Sequence, residues 1–487
     1  MLNRFNFYLS ILLAALFINS VVLAQRIDPD LYKKYSEYLE KYYQIKRIPS
    51  ISAGVLKDGI IQWLDAKGQI DLETFTPAKP SSLYRIASIT KAITAVAVMQ
   101  LYEKGLIDLD ADISTYVPYF PKKKWNVTVR NLLTHTGGIR SYKNEEEFNS
   151  KMFYSSTKEA VMTFANDDLI FEPGTNYNYS SLGYSLLAAM IENVTKMSFE
   201  SYLRKEIFQV ANMKSTRVDK QREIIFERVK GYDKSPDRKF INSALADLSI
   251  KVAGGGLIST TEDILLFAKA VLEGKLISKT TLEMMTKPVI LKNGRRYNYG
   301  FGFSLSDPSD SLTYFGHDGR GTGFVSGLII EPSSATATVF FINLRDRNLG
   351  NPARDLLLIS KGFNNITITQ TVSDFLFDKY YSGGIDSVIS SFNFIYDNNK
   401  NEFNLSDEEC AYFGQALIEI RSIVDAIRYL RMLNRKIPTS FPVLKALGNA
   451  YFRDGNNGFA LRFFREAQLI NPNDSQVNRM INVLTRR

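Results

Sequence analysis

Ser88-Ile89-Thr90-Lys91 leads directly into the apolar run Ala92-Ile93-Thr94-Ala95-Val96-Ala97-Val98-Met99. On a helix, residues three apart share a face, so the lysine ammonium lies about one turn from the serine hydroxyl. The apolar run predicts that this helix is buried. Burial disfavours the charged ammonium and lowers its pKa, so the lysine can accept the serine proton. A serine activated in this way attacks an acyl carbon without help from histidine. Spacing alone does not single out Ser88, because Ser155-Ser156-Thr157-Lys158 has the same arrangement. That second stretch is polar, and nothing in it predicts a buried lysine.

Three other stretches carry polar groups beside glycine. Leu132-Leu133-Thr134-His135-Thr136-Gly137-Gly138-Ile139 reads as a helix end followed by a tight turn. Glu172 to Tyr184 is a polar loop, with Tyr179-Ser180-Ser181 at its end, running into the apolar helix Leu186-Leu187-Ala188-Ala189-Met190-Ile191. Gly316-His317-Asp318-Gly319-Arg320-Gly321-Thr322-Gly323 is a glycine-rich edge beside a strand, where a substrate can approach. The polar neighbours of Tyr179 favour a cleft wall over a core position. His317 reads as a site residue, and His135 as a structural one that orders the Gly137-Gly138 turn. Ala253 to Asp263 reads as a glycine bend with a capping box opening a helix.

The elements that must hold these groups follow from periodicity. Residues 28 to about 46 place Leu31, Tyr35, Tyr38, Leu39, Tyr42 and Tyr43 at helical spacing. Ile51–Leu56 and Ile60–Leu64 flank a Lys57-Asp58-Gly59 turn and predict a hairpin. Helices and loops fill the middle, from Ser88 to about Met284. Strands return at Tyr299–Leu305, Leu312–Phe315, Gly323–Ile330 and Ala335–Leu344, and Asn351-Pro352 opens a helix through Leu358. The economical arrangement is one sheet built from both chain ends, covered by helices, with a helical insertion between.

Composition narrows the function. Met1–Arg4 is basic, Phe5–Val21 largely apolar, and Val22-Leu23-Ala24 small, which predicts a signal peptide over residues 1–24 and an exported, periplasmic or secreted protein. An uncleaved membrane anchor is the competing reading. Cys410 is the sole cysteine, so no internal disulfide forms, and its surroundings suit a small buried residue rather than a nucleophile. The net charge of +9 is dispersed, with no basic stripe interleaved with aromatics, which argues against nucleic-acid binding. The two histidines, His135 and His317, have no metal-binding spacing, so no metal is expected.

In their order, the Ser88, Tyr179 and His317 motifs resemble those of the serine β-lactamase and penicillin-binding protein superfamily. The likeness is closest to the class C-like branch, which also holds D,D-peptidases, D-aminopeptidases and esterases, and it covers about residues 30 to 365. It implies Ser88 as nucleophile, Lys91 as base, Tyr179 in the second motif and His317 in the third. It further implies an oxyanion hole from the backbone N–H groups of Ser88 and Arg320, substrate contacts at Ser181 and Gly319, and no cofactor. Lys91 is expected to be held near neutral by burial and by Tyr179. Tyr179 passes the proton to the leaving group, and His317 polarises that shuttle or, when protonated, meets a substrate carboxylate. Ser181 stands where the family has asparagine. Its hydroxyl can still bond a lysine or a carbonyl, but it lacks the amide's paired donor and acceptor. The implied fold is α/β: an antiparallel sheet flanked by helices, with an all-helical subdomain.

Beyond about residue 370 the pattern becomes helical and periodic. Leu447, Gly448, Tyr451, Ala460, Phe464, Ala467 and Pro472 fit the tetratricopeptide pattern, and Phe413, Gly414, Leu417, Ala426, Leu430, Leu433 and Pro438 repeat it 34 residues earlier. This predicts an all-α tail over 371–487 with clear repeats at 407–440 and 441–474, behind a hydrolase domain over 28–365. The first helices of such repeats line a groove, here with Tyr412, Gln415, Lys445, Asn449 and Arg453. Docking on the hydrolase domain or self-association is favoured over a separate peptide or protein ligand. A chain ending near residue 366 is expected to keep its chemistry. The resulting expectation is an exported serine hydrolase that cleaves a D-amino-acid peptide, an ester or a β-lactam through an acyl-serine. The alternative is a non-catalytic binding or scaffold protein that works through its tail.

Overall fold

The computed structural model describes residues 28–486. The predicted signal segment lies outside them. Helix α1 (Pro29–Lys46) starts where Asp28 accepts hydrogen bonds from the N–H groups of Asp30 and Leu31, with proline in the first turn. It is followed by β1 (Ser50–Lys57), β2 (Ile60–Asp71) and the central helix α2 (Ile89–Glu103). Helix α3 (Ser181–Thr195) and α4 (Thr261–Leu272) come next, then β3 (Phe315–Gly321), β4 (Phe324–Glu331), β5 (Thr336–Ile342) and α5 (Pro352–Ser360).

One antiparallel seven-stranded sheet runs in the order Ser304–Leu305, β3, β4, β5, β1, β2, Thr76–Pro77. The N-terminal β1 pairs with the late β5, Ile51 facing Ile342, so both chain ends build the sheet as expected. Both faces are covered, which explains why the strands read as continuous apolar runs. The pleat divides them: Val325, Ile329, Phe340 and Ile342 pack with Tyr35, Tyr42 and Trp63 under α1 and α5. Phe324, Leu328, Ile330, Val339 and Phe341 face the larger core that contains α2, α3 and α4. The tyrosine stripe of α1 is fixed to the C-terminal side by its hydroxyls, Tyr38 donating to Asp355 at 2.7 Å and Tyr42 to the Leu349 carbonyl.

Three local expectations need correction. The segment from Tyr299 to Leu305 is not a continuous strand. Only Ser304–Leu305 joins the sheet, because Gly302 takes a φ of 75° and bends the chain against α2. The glycine-rich stretch from Gly316 to Gly321 is itself strand β3 rather than its edge. The capping box at α4 is half formed. Thr260 accepts from the Asp263 N–H, but the Asp263 carboxylate accepts instead from Ser215 and Thr216.

The C-terminal region is helical: α6 (Val372–Asn398, kinked at Gly384), α7 (Asp407–Glu419), α8 (Ile423–Lys436), α9 (Phe441–Arg453), α10 (Asn457–Ile470) and α11 (Ser475–Thr485). A two-residue parallel pairing of Gln370–Thr371 with Phe403–Asn404 interrupts the all-helical pattern. Its apolar core is separate, with Cys410 buried in it and the thiol pushed up to about 12 by desolvation and Glu409. Polar contacts join it to the sheet domain. Lys234 and Arg238 are nearly inaccessible and pair with both Asp346 and Asp374. Glu409 pairs with Arg347 at 3.1 Å, and Tyr412 donates to the Pro236 carbonyl. Tyr412 therefore lies against the sheet domain rather than on an open groove. Ile368 packs in the core under α1 and α5, and Asp374, on α6, pairs across to Lys234 and Arg238.

Candidate active site

Ser88 stands at the N-terminus of α2 with helical dihedrals, and its side chain makes no capping hydrogen bond. Ala87 before it is in the left-handed region at φ 44°, a conformation that costs a non-glycine residue roughly 1–2 kcal/mol. The hydroxyl is thus turned out of its usual capping role. At Ser156, by contrast, the side chain caps a short helix by accepting from Glu159 N–H, and Lys158 is exposed. Equal spacing yields a cap in one place and a paired serine and lysine in the other.

The Lys91 side chain is fully buried. Its Nζ lies 2.6 Å from the Gly254 carbonyl, 3.0 Å from Ser181 Oγ and 3.1 Å from Ser88 Oγ. Burial drives its pKa well below the ordinary lysine value, and the nearby Lys251 charge drives it further. A neutral amine has two N–H donors and one lone pair. The carbonyl of Gly254 can only accept, which leaves one N–H and the lone pair for the Ser88 and Ser181 hydroxyls. The second influence on Lys91 is Lys251, not Tyr179. The Tyr179 ring lies 4.6 Å from Nζ and is itself held neutral by burial, with the Ser88 hydroxyl opposing that rise. Gly254 is glycine for close approach: a Cβ there would lie 2.8 Å from that of Ser181.

His317 and His135 share one partner, the Tyr299 hydroxyl, at 3.0 and 3.2 Å from their Nε2 atoms. The hydrogen-bond directions are fixed by groups that have no choice of role. The Asp318 carbonyl can only accept, so His317 Nδ1 carries the proton and Nε2 accepts from Tyr299. The Ser180 N–H can only donate, so His135 Nδ1 accepts and Nε2–H donates to Tyr299. The Tyr179 hydroxyl lies 3.5 Å from the same His317 Nε2. Burial holds His317 down to about 3, so it stays neutral and cannot meet a carboxylate as a cation. His135 also does more than order its glycine turn. Its carbonyl accepts from Asn178 N–H and its ring from Ser180 N–H, fixing the backbone on both sides of Tyr179.

Ser88, Ser181 and Arg320 line one cleft, with Tyr142 and Lys251. Among the described residues no strand pairs with the β3 edge beyond Gly316, which leaves that edge open beside Ser88. Gly319, expected at the substrate, is explained by packing: a Cβ would lie 2.1 Å from Ser326 Oγ and 2.6 Å from the Ile86 carbonyl. Its role is to let β3 approach the turn that carries Ser88.

The sequence model of the Beta-lactamase family matches residues 36–361. The chain belongs to the Beta-lactamase family. Human mitochondrial serine beta-lactamase-like protein LACTB is 30% identical over 294 residues, 46% of this chain and 54% of LACTB. The chain thus spans about half the length of that relative. Penicillin-binding protein 4* of Bacillus subtilis (strain 168) is 31% identical over 308 residues, 60% of this chain and 67% of that protein. Among solved structures, a D-stereospecific amidohydrolase from Streptomyces sp. superimposes with a TM-score of 0.55 at 25% identity, covering 64% of this chain and 94% of the other.

In this Beta-lactamase family chain, Ser88, Lys91, Tyr179, Ser181 and His317 lie together as neighbours. Tyr299 and Lys251 were missed from the sequence alone. For Tyr299 the available signal was its place before Gly300 and Gly302. For Lys251 it was a lone lysine two residues ahead of the Ala253 glycine bend.

Proposed function

We propose that the protein is a serine hydrolase that forms an acyl-serine at Ser88 and cleaves an amide or an ester. The observation that carries the reading is the fully buried Lys91 amine, its Nζ 3.1 Å from the Ser88 hydroxyl and its pKa driven well below the ordinary lysine value by burial. In acylation, Lys91 Nζ takes the proton as Ser88 Oγ bonds to the acyl carbon. The N–H groups of Ser88 and Arg320 hold the oxyanion, each worth roughly 3–4 kcal/mol. Tyr179 relays the proton to the departing amine or alcohol as the old acyl bond breaks. Water then attacks the ester carbonyl, its proton returning to Ser88 by the same route. His317 stays neutral beside the Tyr179 hydroxyl, its Nε2 lone pair accepting from Tyr299.

The family relationship supports hydrolysis, and the D-stereospecific Streptomyces amidohydrolase supports D-configured amides as one substrate class to test. The 34-residue repeat in the tail supports its assignment to tetratricopeptide repeats. Gly414 faces Leu430 as Gly448 faces Phe464, each where a Cβ would come within 2.6 Å of the partner ring or side chain. The N-terminal sequence pattern supports export. The test is labelling with a fluorophosphonate and with a labelled penicillin, followed by peptide mapping. An adduct on Ser88 that disappears in Ser88→Ala is expected with at least one probe; folded protein without any adduct contradicts the reading.

A further inference from the structure

The helical tail grips two segments of the sheet domain, and both continue to the cleft. The first is the hairpin of Tyr232–Lys234 and Phe240–Asn242, whose chain runs on into the cleft wall at Leu248 and Lys251. The second is the loop 343–349 that follows β5. Backbone bonds join the two: the Tyr232 N–H donates to the Asn343 carbonyl at 3.0 Å, and the Arg345 N–H to the Tyr232 carbonyl at 3.0 Å. On the tail side, Asp374 of α6 accepts from Lys234 at 2.9 Å and pairs with Arg238. Glu409 and Tyr412 of α7 both meet Arg347, whose guanidinium lies 3.8 Å from the Tyr412 ring centre. On the cleft side, the Asp346 carbonyl accepts from the Arg320 guanidinium at 3.0 Å, and Arg345 pairs with Glu145 at 3.1 Å beside the Phe148 ring. Arg320 and Phe148 both line the cleft.

Asp346 is the shared member. Its carboxylate pairs with Lys234 and Arg238, and its carbonyl holds Arg320. The side chains of Lys234, Arg238, Asp346 and Asp374 are only 5–7% exposed, so water cannot stand in for a lost partner. Two cations and two carboxylates balance there. Removing the Asp374 charge leaves a buried cation uncompensated, and Asp346 must then serve both. The loop that carries Asp346 shifts with it. A continuous run of ion pairs ending in one hydrogen bond thus links Asp374, Arg238, Asp346 and Arg320.

We infer that Asp374 is a positioning residue for acyl transfer: acting through Arg238 and Asp346, it holds the β3 edge at Arg320. The docked tail then sets the turnover of a site to which it supplies no reacting group. This rests on the hydrolase reading above, which takes the Arg320 N–H as an oxyanion donor. The tail has an apolar core of its own, so much of its hold on the sheet domain falls on polar contacts, and the Asp374 pairs are the ones that continue to Arg320.

The test compares the full chain with its Asp374→Asn, Asp374→Glu and Tyr380→Phe variants. Tyr380 bonds Asp425 at 2.8 Å inside the tail, so its variant weakens the tail without touching the cluster. On 4-nitrophenyl acetate, Asp374→Asn is expected to lose about 5- to 50-fold in kcat with KM within about twofold, less than the roughly 10²–10³-fold cost of a deleted oxyanion donor. Asp374→Glu should recover most of that loss, and Tyr380→Phe should keep the parent kcat. Thermal melts identify a variant that has not folded. Should Asp374→Asn be one, adding Lys234→Met restores the charge balance while Arg238 stays cut off from the tail, and the same kcat loss is expected of that double variant. Hydrogen exchange read by mass spectrometry gives a readout free of turnover: peptides covering 317–323 and 343–349 should exchange about 10-fold faster without the Asp374 charge, and at the parent rate in Tyr380→Phe. Parent-like kcat or parent-like exchange in the folded Asp374 variant, or an equal kcat loss in Tyr380→Phe, overturns the inference even if hydrolysis proceeds. If the parent neither turns over the ester nor takes a fluorophosphonate at Ser88, the hydrolase reading fails and exchange alone decides: faster exchange upholds the hold of Asp374 on the Arg320 edge, and parent-like exchange overturns it.

Discussion

Tyr299→Phe removes a single oxygen from the centre of the site. The phenyl ring keeps its packing on His135, 4.9 Å between centroids, and on His317 at 5.7 Å, so shape is conserved. What is lost is the hydroxyl that accepts from His135 Nε2–H at 3.2 Å and donates to His317 Nε2 at 3.0 Å. Two buried ring nitrogens are left short of partners, each costing about 1–2 kcal/mol, so the variant should lose about 2–4 kcal/mol of stability. Urea unfolding measures this. The catalytic effect has a separate signature. His317 keeps its Nδ1 bond to the Asp318 carbonyl but loses the donor that fixed its Nε2 beside Tyr179. Tyr299 does not line the cleft, so KM should hold while kcat falls roughly 10- to 100-fold, equivalent to about 1.4–2.7 kcal/mol of barrier. Steady-state kinetics on a neutral ester separates the two constants. Stability within 0.5 kcal/mol of the parent would refute the assigned hydrogen-bond directions. Lost stability with intact kcat would show that the network is structural only.

Gly319→Ala should abolish or severely reduce acylation and lower the urea midpoint, because its Cβ meets Ser326 Oγ at 2.1 Å and the Ile86 carbonyl at 2.6 Å; a parent-like variant contradicts the packing role. A chain ending at residue 366 loses Ile368 and Asp374 and leaves the inaccessible Lys234 and Arg238 facing Asp346 alone, a loss of about 3–5 kcal/mol. Its thermal melt should shift down or lose cooperativity relative to the full chain; an equal melt contradicts the stabilising role of these contacts. For Lys251, held down to about 7, the unfolded chain binds more protons than the folded one between that pH and its ordinary value of 10.5. Unfolding free energy of the parent relative to Lys251→Met should therefore rise with pH from about 7 towards 10.5, and parallel profiles would show that Lys251 remains charged.

Much of the fold was legible because its signals are local. The tyrosine stripe of α1, the hairpin around Lys57-Asp58-Gly59 and the two-sided apolar strands β4 and β5 each follow from short-range patterns. Ser88 and Lys91 were legible for a related reason: the apolar run behind them requires a buried helix, whereas the polar setting of Ser156 and Lys158 gives only a helix cap. What was not legible depends on residues distant in the chain. The neutrality of His317 is set by burial and by a hydroxyl reaching it from Tyr299, which also holds His135 from 164 residues away. The pressure on Lys91 from Lys251 arises across a cleft that no sequence window contains. The junction between the two regions was hidden too, because Asp374 looks like an ordinary first-turn acid of α6 until Arg238 is placed against it.

The central claim is that Lys91 is a neutral base and not merely a positive charge near Ser88. Rates of Ser88 acylation by a fluorophosphonate, followed by intact mass in the parent, Lys91→Met and Lys91→Arg, test it most directly. Arginine restores the charge but cannot give up its proton in this range. Both variants are expected to fall by about 10²–10⁴-fold, as for loss of a positioned general base, with arginine no better than methionine. Acylation restored by arginine, or unaffected by methionine, would contradict it.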